Sequence, residues 1–356
     1  MTSPPPPPLP PLPPSAWPFA IDSSASGTNA MSNPFLGAAL LSLAARSGSA
    51  ADSALEDVGD PTITFLLVQM KASSLLAFMS AISGVLCAMF MPLFGAVVDH
   101  TAHRKTIAVL SALALVLINA FQAGISAEAD WRKIATLQIM AGWFFLVHFT
   151  SKASYLPEME DEAAPLSGSS SSSAAAPSSP SRTSSTVSRV SSLSTGVSFF
   201  AQFLFLAFCI AFSALFAPPP LASDSSAFQA AKADAFTASI SQLTTAALSS
   251  VLYAYAWWRL PSRPPLHSLP PNSRLLTAGF SKLSSTLRAL RSDRPALAAF
   301  LVVTALSEAG ANAFATIAVT YTKVVIEMTA DEAGILFAVV LLMGESGCCF
   351  VAHVLG

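Results

Sequence analysis

The residue best placed to do chemistry in this sequence is Glu308, the thirteenth residue of the 25-residue apolar segment 296–320. Asn312 follows one turn later on the same helical face. Surrounding a charged carboxylate with apolar groups, as the middle of this segment would, costs several kcal/mol of free energy. The side chain must therefore face a cavity or a polar partner. With no Lys or Arg nearby, it suits proton exchange or the recognition of a substrate ammonium group. The alternative is a protonated glutamate that hydrogen-bonds to a neighbouring helix.

Two further ionisable groups lie inside apolar segments and are candidates for translocation or proton coupling. Glu345 lies near the middle of segment 333–355, and His148 precedes Lys152 by four residues, which places both on one helical face. No nucleophile elbow, phosphate-binding glycine loop or metal-ligand spacing accompanies them, and the four cysteines form no Cys-x-x-Cys pair. The sequence therefore predicts neither an enzyme nor a bound cofactor or metal.

The composition indicates that this chain is surrounded by lipid. Hydrophobic residues make up 53% and charged residues 11%, with a mean hydropathy of +0.59. A soluble domain carries about 25% charged residues, because its surface must be solvated. The formal net charge of −2 provides no basic field for nucleic acid. These values predict a membrane protein that contacts membrane lipids and does not bind nucleic acid.

Eight apolar segments are candidates for transmembrane helices, which need about 20 mostly apolar residues. They are 35–45, 74–98, 106–125, 134–155, 197–216, 238–258, 296–320 and 333–355. The first is too short to span unless the polar stretch 17–33 joins it as a broken helix that faces a cavity. The predicted fold class is therefore an all-α membrane protein with about eight transmembrane helices.

Three stretches outside these segments differ from them in composition. Residues 1–16 are rich in proline and predict a disordered tail, with docking into an SH3-like groove as the alternative. Residues 157–195 are rich in serine and predict a disordered loop. Residues 259–294 form a basic linker, in which 274–291 has leucine and phenylalanine at spacings of 4, 3, 4 and 3. That spacing predicts an amphipathic helix suited to the membrane surface.

The distribution of basic residues predicts the orientation in the membrane. If the eight segments alternate in direction, the loops after the second, fourth and sixth segments contain 12 of the 18 Lys and Arg residues. The positive-inside rule places these loops in the cytoplasm. Both termini of the chain are then predicted to be cytoplasmic.

The loop after the second segment carries a recognisable motif. It reads Gly95-Ala-Val-Val-Asp99-His-Thr-Ala-His-Arg104-Lys105. This resembles the signature of the major facilitator superfamily, with histidine and alanine where that signature has a base and a second glycine. We expect Gly95 to allow two helices to approach closely, and Asp99 to pair with a cation or cap a helix and so hold a gate closed. Arg104 and Lys105 would face anionic lipid or acidic partners.

A narrower resemblance extends over most of residues 60–350. The stretches 70–105, 154–159 and 269–321 together resemble the vacuole effluxer family, a branch of that superfamily linked to autophagy and to amino-acid release from vacuoles. The resemblance implies a vacuolar membrane and a major-facilitator-type bundle of twelve helices. In that family the seventh helix carries an acidic residue before a glycine. Glu308 matches this acid, although one residue separates it from the glycine.

The resemblance also implies a division of the chain. Residues 17–258 would form the first six-helix half, and residues 295–356 the start of the second half. The remaining helices would then follow residue 356 in a longer protein, or a genuinely shorter protein exists.

Two functions from different classes remain open. The first is a secondary transporter that exports small solutes, with amino acids as the suggested class, from the vacuole by alternating access. The second is a non-transporting membrane scaffold that binds partners through its proline-rich and serine-rich segments.

Overall fold

The computed structural model describes residues 12–51, 60–126, 130–163, 183–216, 226–265, 275–330 and 332–340. The helices are α1 (Ala16–Ala51), α2 (Leu75–His100), α3 (Arg104–Gln122), α4 (Trp131–Ala153), α5 (Leu156–Ala163), α6 (Thr183–Phe216), α7 (Ser226–Arg259), α8 (Leu275–Asp293) and α9 (Pro295–Val324), and residues 332–340 are helical again. An antiparallel hairpin, β1 (Thr62–Phe65) and β2 (Val68–Lys71), and a turn of 3-10 helix (Ala72–Ser74) connect α1 to α2. The all-α prediction is confirmed, with this hairpin as an element that the sequence analysis did not anticipate.

Five helical stretches among the described residues are long and apolar enough to cross a membrane. They are Ala72–His100, Arg104–Gln122, Trp131–Met159, Thr186–Phe216 and Pro295–Val324. α1 and α7 have 36 and 34 residues, well above the length that a membrane helix needs, but they carry more polar side chains. Those side chains face each other inside the bundle, which explains why α1 and α7 are less apolar than the lipid-facing helices.

The first helix is continuous, so the prediction of a broken helix was wrong. α1 contains the polar stretch 17–33 and the apolar stretch 35–45, with Pro34 inside it. Proline is tolerated in such a helix because neighbouring helices hold its flanks, and Phe35 and Leu36 are almost fully buried here. α1 packs most extensively against α7 and α6 and is the central helix of the bundle.

The helices alternate in direction, which gives the bundle two distinct ends. At the Arg104 end, the start of α1 packs against the ends of α4 and α7, and Phe19, Trp257 and Leu260 share one apolar cluster. At the opposite, Trp131 end, the end of α1 packs against the starts of α2 and α4. Many large apolar side chains on the outer faces remain exposed, as lipid contact requires; examples are Leu110, Phe200, Val251 and Leu306.

The structure differs from the sequence analysis at both ends of the serine-rich segment 157–195. Leu156–Ala163 form α5, and α6 begins at Thr183, so the prediction of disorder was wrong for these two stretches. Pro157 fits the first turn of α5, where a backbone N–H has no partner within the helix. Residues 164–182, the proline-rich residues 1–11 and Glu345 lie outside the described residues.

Candidate functional site

A buried carboxylate lies at the centre of the candidate site. Asp22 on α1 has no exposed side-chain surface, and its Oδ2 lies 3.2 Å from Nζ of Lys152 on α4. Its Oδ1 accepts a hydrogen bond of 2.8 Å from Nε1 of Trp257 on α7. Nε2 of His148, also on α4, lies 3.1 Å from the same oxygen. Three helices therefore meet at one group of side chains, the Asp22 cluster (Asp22, His148, Lys152 and Trp257).

The Lys152 ammonium is held by several groups besides Asp22. It donates a hydrogen bond to the hydroxyl of Ser23, and its Nζ lies 4.8 Å from the centroid of the Phe19 ring. Ser23 in turn contacts the hydroxyl of Ser194 on α6. Removing two charges from water costs several kcal/mol per ion, and this cost is offset only when further hydrogen bonds and cation–π contacts surround the pair.

The contacts of His148 indicate a place for an additional proton. Nδ1 lies 3.0 Å from the backbone carbonyl of Ala108, and Nε2 faces the Asp22 carboxylate. Both of these neighbours are acceptors, and the Ser111 hydroxyl, 3.5 Å from Nδ1, can donate or accept, whereas a neutral imidazole has a single N–H to donate. A neutral His148 can donate to Asp22 and face Ser111 with Nδ1, whereas an imidazolium would donate to both Asp22 and Ala108. The hydrogen-bonding partners of His148 therefore suit either form of the ring.

Aromatic rings enclose this pair. The rings of Tyr253 and Trp257 meet the His148 ring edge to face, with centroids 4.7 Å and 5.8 Å away, and Tyr155 packs against Trp257 in the same manner. Large rings at van der Waals contact exclude water from the His148 imidazole. Low local polarity strengthens the hydrogen bonds and ion pair inside the cluster, and it makes any unpaired charge there costly.

A ladder of neutral polar side chains continues from the cluster along α1. The hydroxyl of Tyr253 lies 3.4 Å from both Ser26 Oγ and Asn29 Nδ2. Asn29 also donates to Ser249 on α7 at 3.0 Å and accepts from Asn119 on α3. Asp22, Ser26, Asn29 and Asn33 follow one another at spacings of 4, 3 and 4, so they share one face of α1.

Some buried polar atoms near this ladder have no hydrogen-bonding partner among the described residues. Both amide atoms of Gln242 and the hydroxyl of Thr245 are unpaired, although the two side chains are fully buried one turn apart on α7. Buried polar groups are almost always hydrogen-bonded, so such atoms indicate where water or a polar solute binds. In the described part of the chain, no three His, Cys, Asp or Glu side chains group together as metal ligands would.

Comparison with known families decides what kind of protein carries this site. The model of the family described as "Vacuole effluxer Atg22 like" matches residues 15–355. The chain belongs to this family. No curated protein and no solved structure matches it significantly. As a member of the Atg22-like effluxers it is a multi-pass vacuolar membrane protein of a transporter family rather than of an enzyme family, and its cargo is a small solute.

Within this Atg22-like effluxer, the structure brings His148 and Lys152 together, as their spacing predicts. Asp22 was not among the residues predicted to be functional. One feature of the sequence does point to it, because Asp22 is the only acidic residue among the first 51 residues. That signal was weak, since its partners are 126 and 130 positions away in the chain.

The other predicted site residues lie elsewhere. Glu308 and Asn312 are on α9, are exposed, and are not part of the Asp22 cluster. Val319, three turns after Glu308 and on the same face, lies near Gly37 of α1, so that 3.4 Å would separate its side chain from a Cβ at that glycine. Glu308 therefore lies on the side of α9 that contacts α1 at Val319, in a stretch that the described residues leave exposed.

Arg104 of the signature loop faces an acidic side chain, one of the two arrangements expected for it, rather than lipid. The Arg104 side chain is only 1% exposed, so it does not face lipid. Its Nη2 lies 2.7 Å from Oε1 of Glu158 on α5, and Arg263, which follows α7, lies 3.1 Å from the other oxygen of that carboxylate. Besides Glu158, the Arg104 guanidinium donates to the backbone carbonyls of Ser154 and Pro264, so residues from three parts of the chain enclose it. Lys105 likewise points inwards and donates to the carbonyl of Leu260 at 2.6 Å.

Asp99 pairs with a cation, one of the two roles expected for it. Its Oδ2 lies 2.7 Å from Nζ of Lys282 on α8. Gly95 does not make the expected close approach, because a Cβ there would meet no described atom within 4 Å. The close approach occurs at Gly279 of α8 instead, where a Cβ would overlap the backbone carbonyl of Pro92 on α2.

A second buried carboxylate lies at the Trp131 end of the effluxer. Asp234 on α7 is 1% exposed and forms an ion pair with Lys323 on α9. It also accepts hydrogen bonds from the Ser42 hydroxyl at 2.5 Å and from the backbone N–H of Ala330 at 3.1 Å. These contacts join α1 and α7 to α9 and the residues that follow it.

Proposed function

We propose that this effluxer is a proton-coupled secondary transporter that exports amino acids from the vacuole by alternating access. The observation that carries the proposal is the Asp22 cluster, in which a buried ion pair contacts a histidine with two acceptor neighbours. Ionisable groups inside a membrane bundle are expensive and mark ion or proton pathways. A scaffold without transport activity has no need for such a cluster in its interior.

The cluster suits proton coupling because a proton on His148 would affect the Asp22–Lys152 ion pair. When His148 carries the extra proton, Asp22 has two cationic neighbours, and when it does not, Lys152 is the sole cationic partner. The other titratable group that faces the pair is Tyr253. Proton binding therefore changes how strongly Asp22 holds α1 against α4, which is a change that a conformational cycle can use.

The exposed middle of α9 carries groups that suit an amino acid as cargo. Glu308 offers a carboxylate to the substrate ammonium, and Asn312 offers an amide one turn away. The hydrogen-bonding ladder on α1 and the unpaired Gln242 and Thr245 provide neutral polar groups in the first half. Since the Asp22 cluster already provides a site for the proton, we assign Glu308 to substrate recognition.

Alternating access requires contacts that open and close at the two ends of the bundle. In this proposal the Arg104 end faces the cytosol, in agreement with the positive-inside rule, and the Trp131 end faces the vacuole lumen. The Asp234–Lys323 pair joins the first half to α9 at the lumenal end and keeps that end closed. Asp99 and Lys282 join α2 to α8 at the cytosolic end.

The test compares amino-acid efflux from isolated vacuoles that contain the full-length native protein, its His148→Gln variant or neither. Glutamine keeps hydrogen-bonding capacity but cannot bind the extra proton. We expect the native protein to release amino acids at a rate that depends on lumenal pH, and the variant to lose that dependence while it still inserts in the membrane. Efflux no faster than from vacuoles without the protein would overturn transport and favour the scaffold. A native pH profile in His148→Gln would overturn coupling through the cluster.

A further inference from the structure

Helix α8 lies against α2 through a specific contact. Gly279 fits directly over the backbone carbonyl of Pro92, where any side chain would overlap, and Ala278 beside it is almost fully buried. One turn further on, Lys282 pairs with Asp99 at 2.7 Å. Because these contacts fix one side of α8, the orientation of its other sides is also fixed.

The side of α8 adjacent to this contact is apolar and uncovered among the described residues. Phe280, Leu283 and Leu287 follow at spacings of 3 and 4, which places them on one face, and they are 47%, 48% and 57% exposed. In water such a stripe would be unfavourable, at about 25 cal/mol for each Å² of apolar surface. The stripe therefore requires an apolar environment.

Charge and position identify that environment. Arg288 and Arg291 are exposed near the end of α8, and Arg294 lies between α8 and α9. α9 begins at Pro295, immediately after it, and is one of the helices apolar enough to span the membrane. α8 therefore lies where the chain enters the bilayer, with apolar side chains and cations arranged as in helices that lie in the lipid interface.

We propose that α8 binds anionic lipid in the cytosolic leaflet and, while bound, holds Lys282 against Asp99. Phe280, Leu283 and Leu287 enter the boundary of the acyl chains, and Arg288 and Arg291 contact lipid phosphates. The contact of Gly279 with Pro92 transmits the position of α8 to α2, so the lipid composition affects the closed state of the cytosolic end. The inference rests on the cytosolic orientation in the proposed function but does not depend on which solute is transported.

The experiment uses the full-length protein in vesicles of phosphatidylcholine, with or without phosphatidylserine, and with quenchers attached to the lipid acyl chains. In a cysteine-free background, a fluorescent label is attached at Leu283→Cys on the apolar face, or at Ser285→Cys as the control on the opposite side of α8. We expect quenching at position 283 to be several-fold stronger than at 285 and to rise with phosphatidylserine. Equal quenching at both positions, or none, would overturn the proposal, because protein would then cover the apolar face.

A second pair of variants tests the role of charge. Arg288→Glu/Arg291→Glu should abolish the increase that phosphatidylserine produces. Arg132→Glu/Lys133→Glu makes the same change of charge at the opposite end of the bundle and should leave that increase intact. Two results would overturn the recognition of anionic lipid. One is native quenching that does not rise with phosphatidylserine, and the other is an equal loss of that rise in both double variants. Quenching as expected in a protein without efflux would refute the proposed transport and leave the lipid contact standing.

Discussion

Asp22 and Lys152 form an ion pair, with Oδ2 and Nζ 3.2 Å apart, at a place where their side chains are 0% and 6% exposed. The two residues belong to different helices, α1 and α4, and are 130 positions apart in the chain. In water such a pair contributes little, but in the bundle each ion depends on the other for its solvation.

This dependence predicts a recovery of stability in a double variant. Asp22→Asn should destabilise the full-length protein by about 3–5 kcal/mol, because it leaves the Lys152 ammonium buried without a counter-charge. Asp22→Asn/Lys152→Met removes both charges and should recover most of that loss. The measurement is thermal unfolding in detergent, and the control is Asp130→Asn, whose ion pair with Lys133 lies on the surface. If the double variant is less stable than Asp22→Asn alone, the two residues are not coupled as described.

The contact between Asp234 and Lys323 predicts that a substitution here changes how often the Trp131 end of the bundle opens. Asp234→Asn removes the ion pair but can keep the hydrogen bond with Ser42, so this end should open more often. Ser80 on α2 and Thr316 on α9 report this opening, since their hydroxyl oxygens lie 3.5 Å apart.

The measurement is the rate of disulfide cross-linking between Ser80→Cys and Thr316→Cys. It should fall in the Asp234→Asn variant and remain unchanged in Asp130→Asn. An unchanged or faster rate in Asp234→Asn would show that this carboxylate does not hold α9 in place.

The Asp99–Lys282 pair predicts an effect on conformational switching rather than on substrate affinity. Asp99 is the penultimate residue of α2 and pairs with α8, whereas Glu308 lies in the middle of α9, so loss of Asp99 should not alter substrate contacts. Asp99→Asn and Lys282→Met should each change the turnover rate of the full-length protein and leave substrate binding within a few-fold. Equilibrium binding and initial rates of efflux are the two measurements. A large loss of affinity with normal turnover would contradict the role of a gate.

Some of this architecture could be predicted from sequence because its determinants are local. The 4-3-4-3 spacing that defines α8, and the four-residue spacing of His148 and Lys152, depend only on helix geometry. The hairpin could not be predicted in this way. Its turn is formed by Leu66 and Leu67 with φ angles of 48° and 67°, whereas such turns ordinarily use Asn and Gly.

The polar part of α1 shows the limit of hydropathy as a guide. Residues 17–33 contain serines, Asn29 and Asp22, which favour a break in a membrane helix when they are considered alone. They form an unbroken helix because α3, α4 and α7 provide hydrogen-bonding partners for them. Those partners come from distant parts of the sequence, so the composition of residues 17–33 alone cannot predict them.

The last prediction separates substrate recognition from proton coupling at Glu308. Glu308 is exposed on the side of α9 that contacts α1 at Val319 and is not part of the Asp22 cluster, so we expect it to bind the substrate ammonium. Glu308→Gln keeps the shape of the side chain but removes its charge, and it should raise the KM for amino-acid efflux by about tenfold or more, since a charged hydrogen bond contributes about 1.5–3 kcal/mol. The pH profile should stay as in the native protein, in contrast to His148→Gln. A flattened pH profile with an unchanged KM would instead make Glu308 the coupling residue, and native behaviour in both measurements would make it a hydrogen-bonding partner of a neighbouring helix.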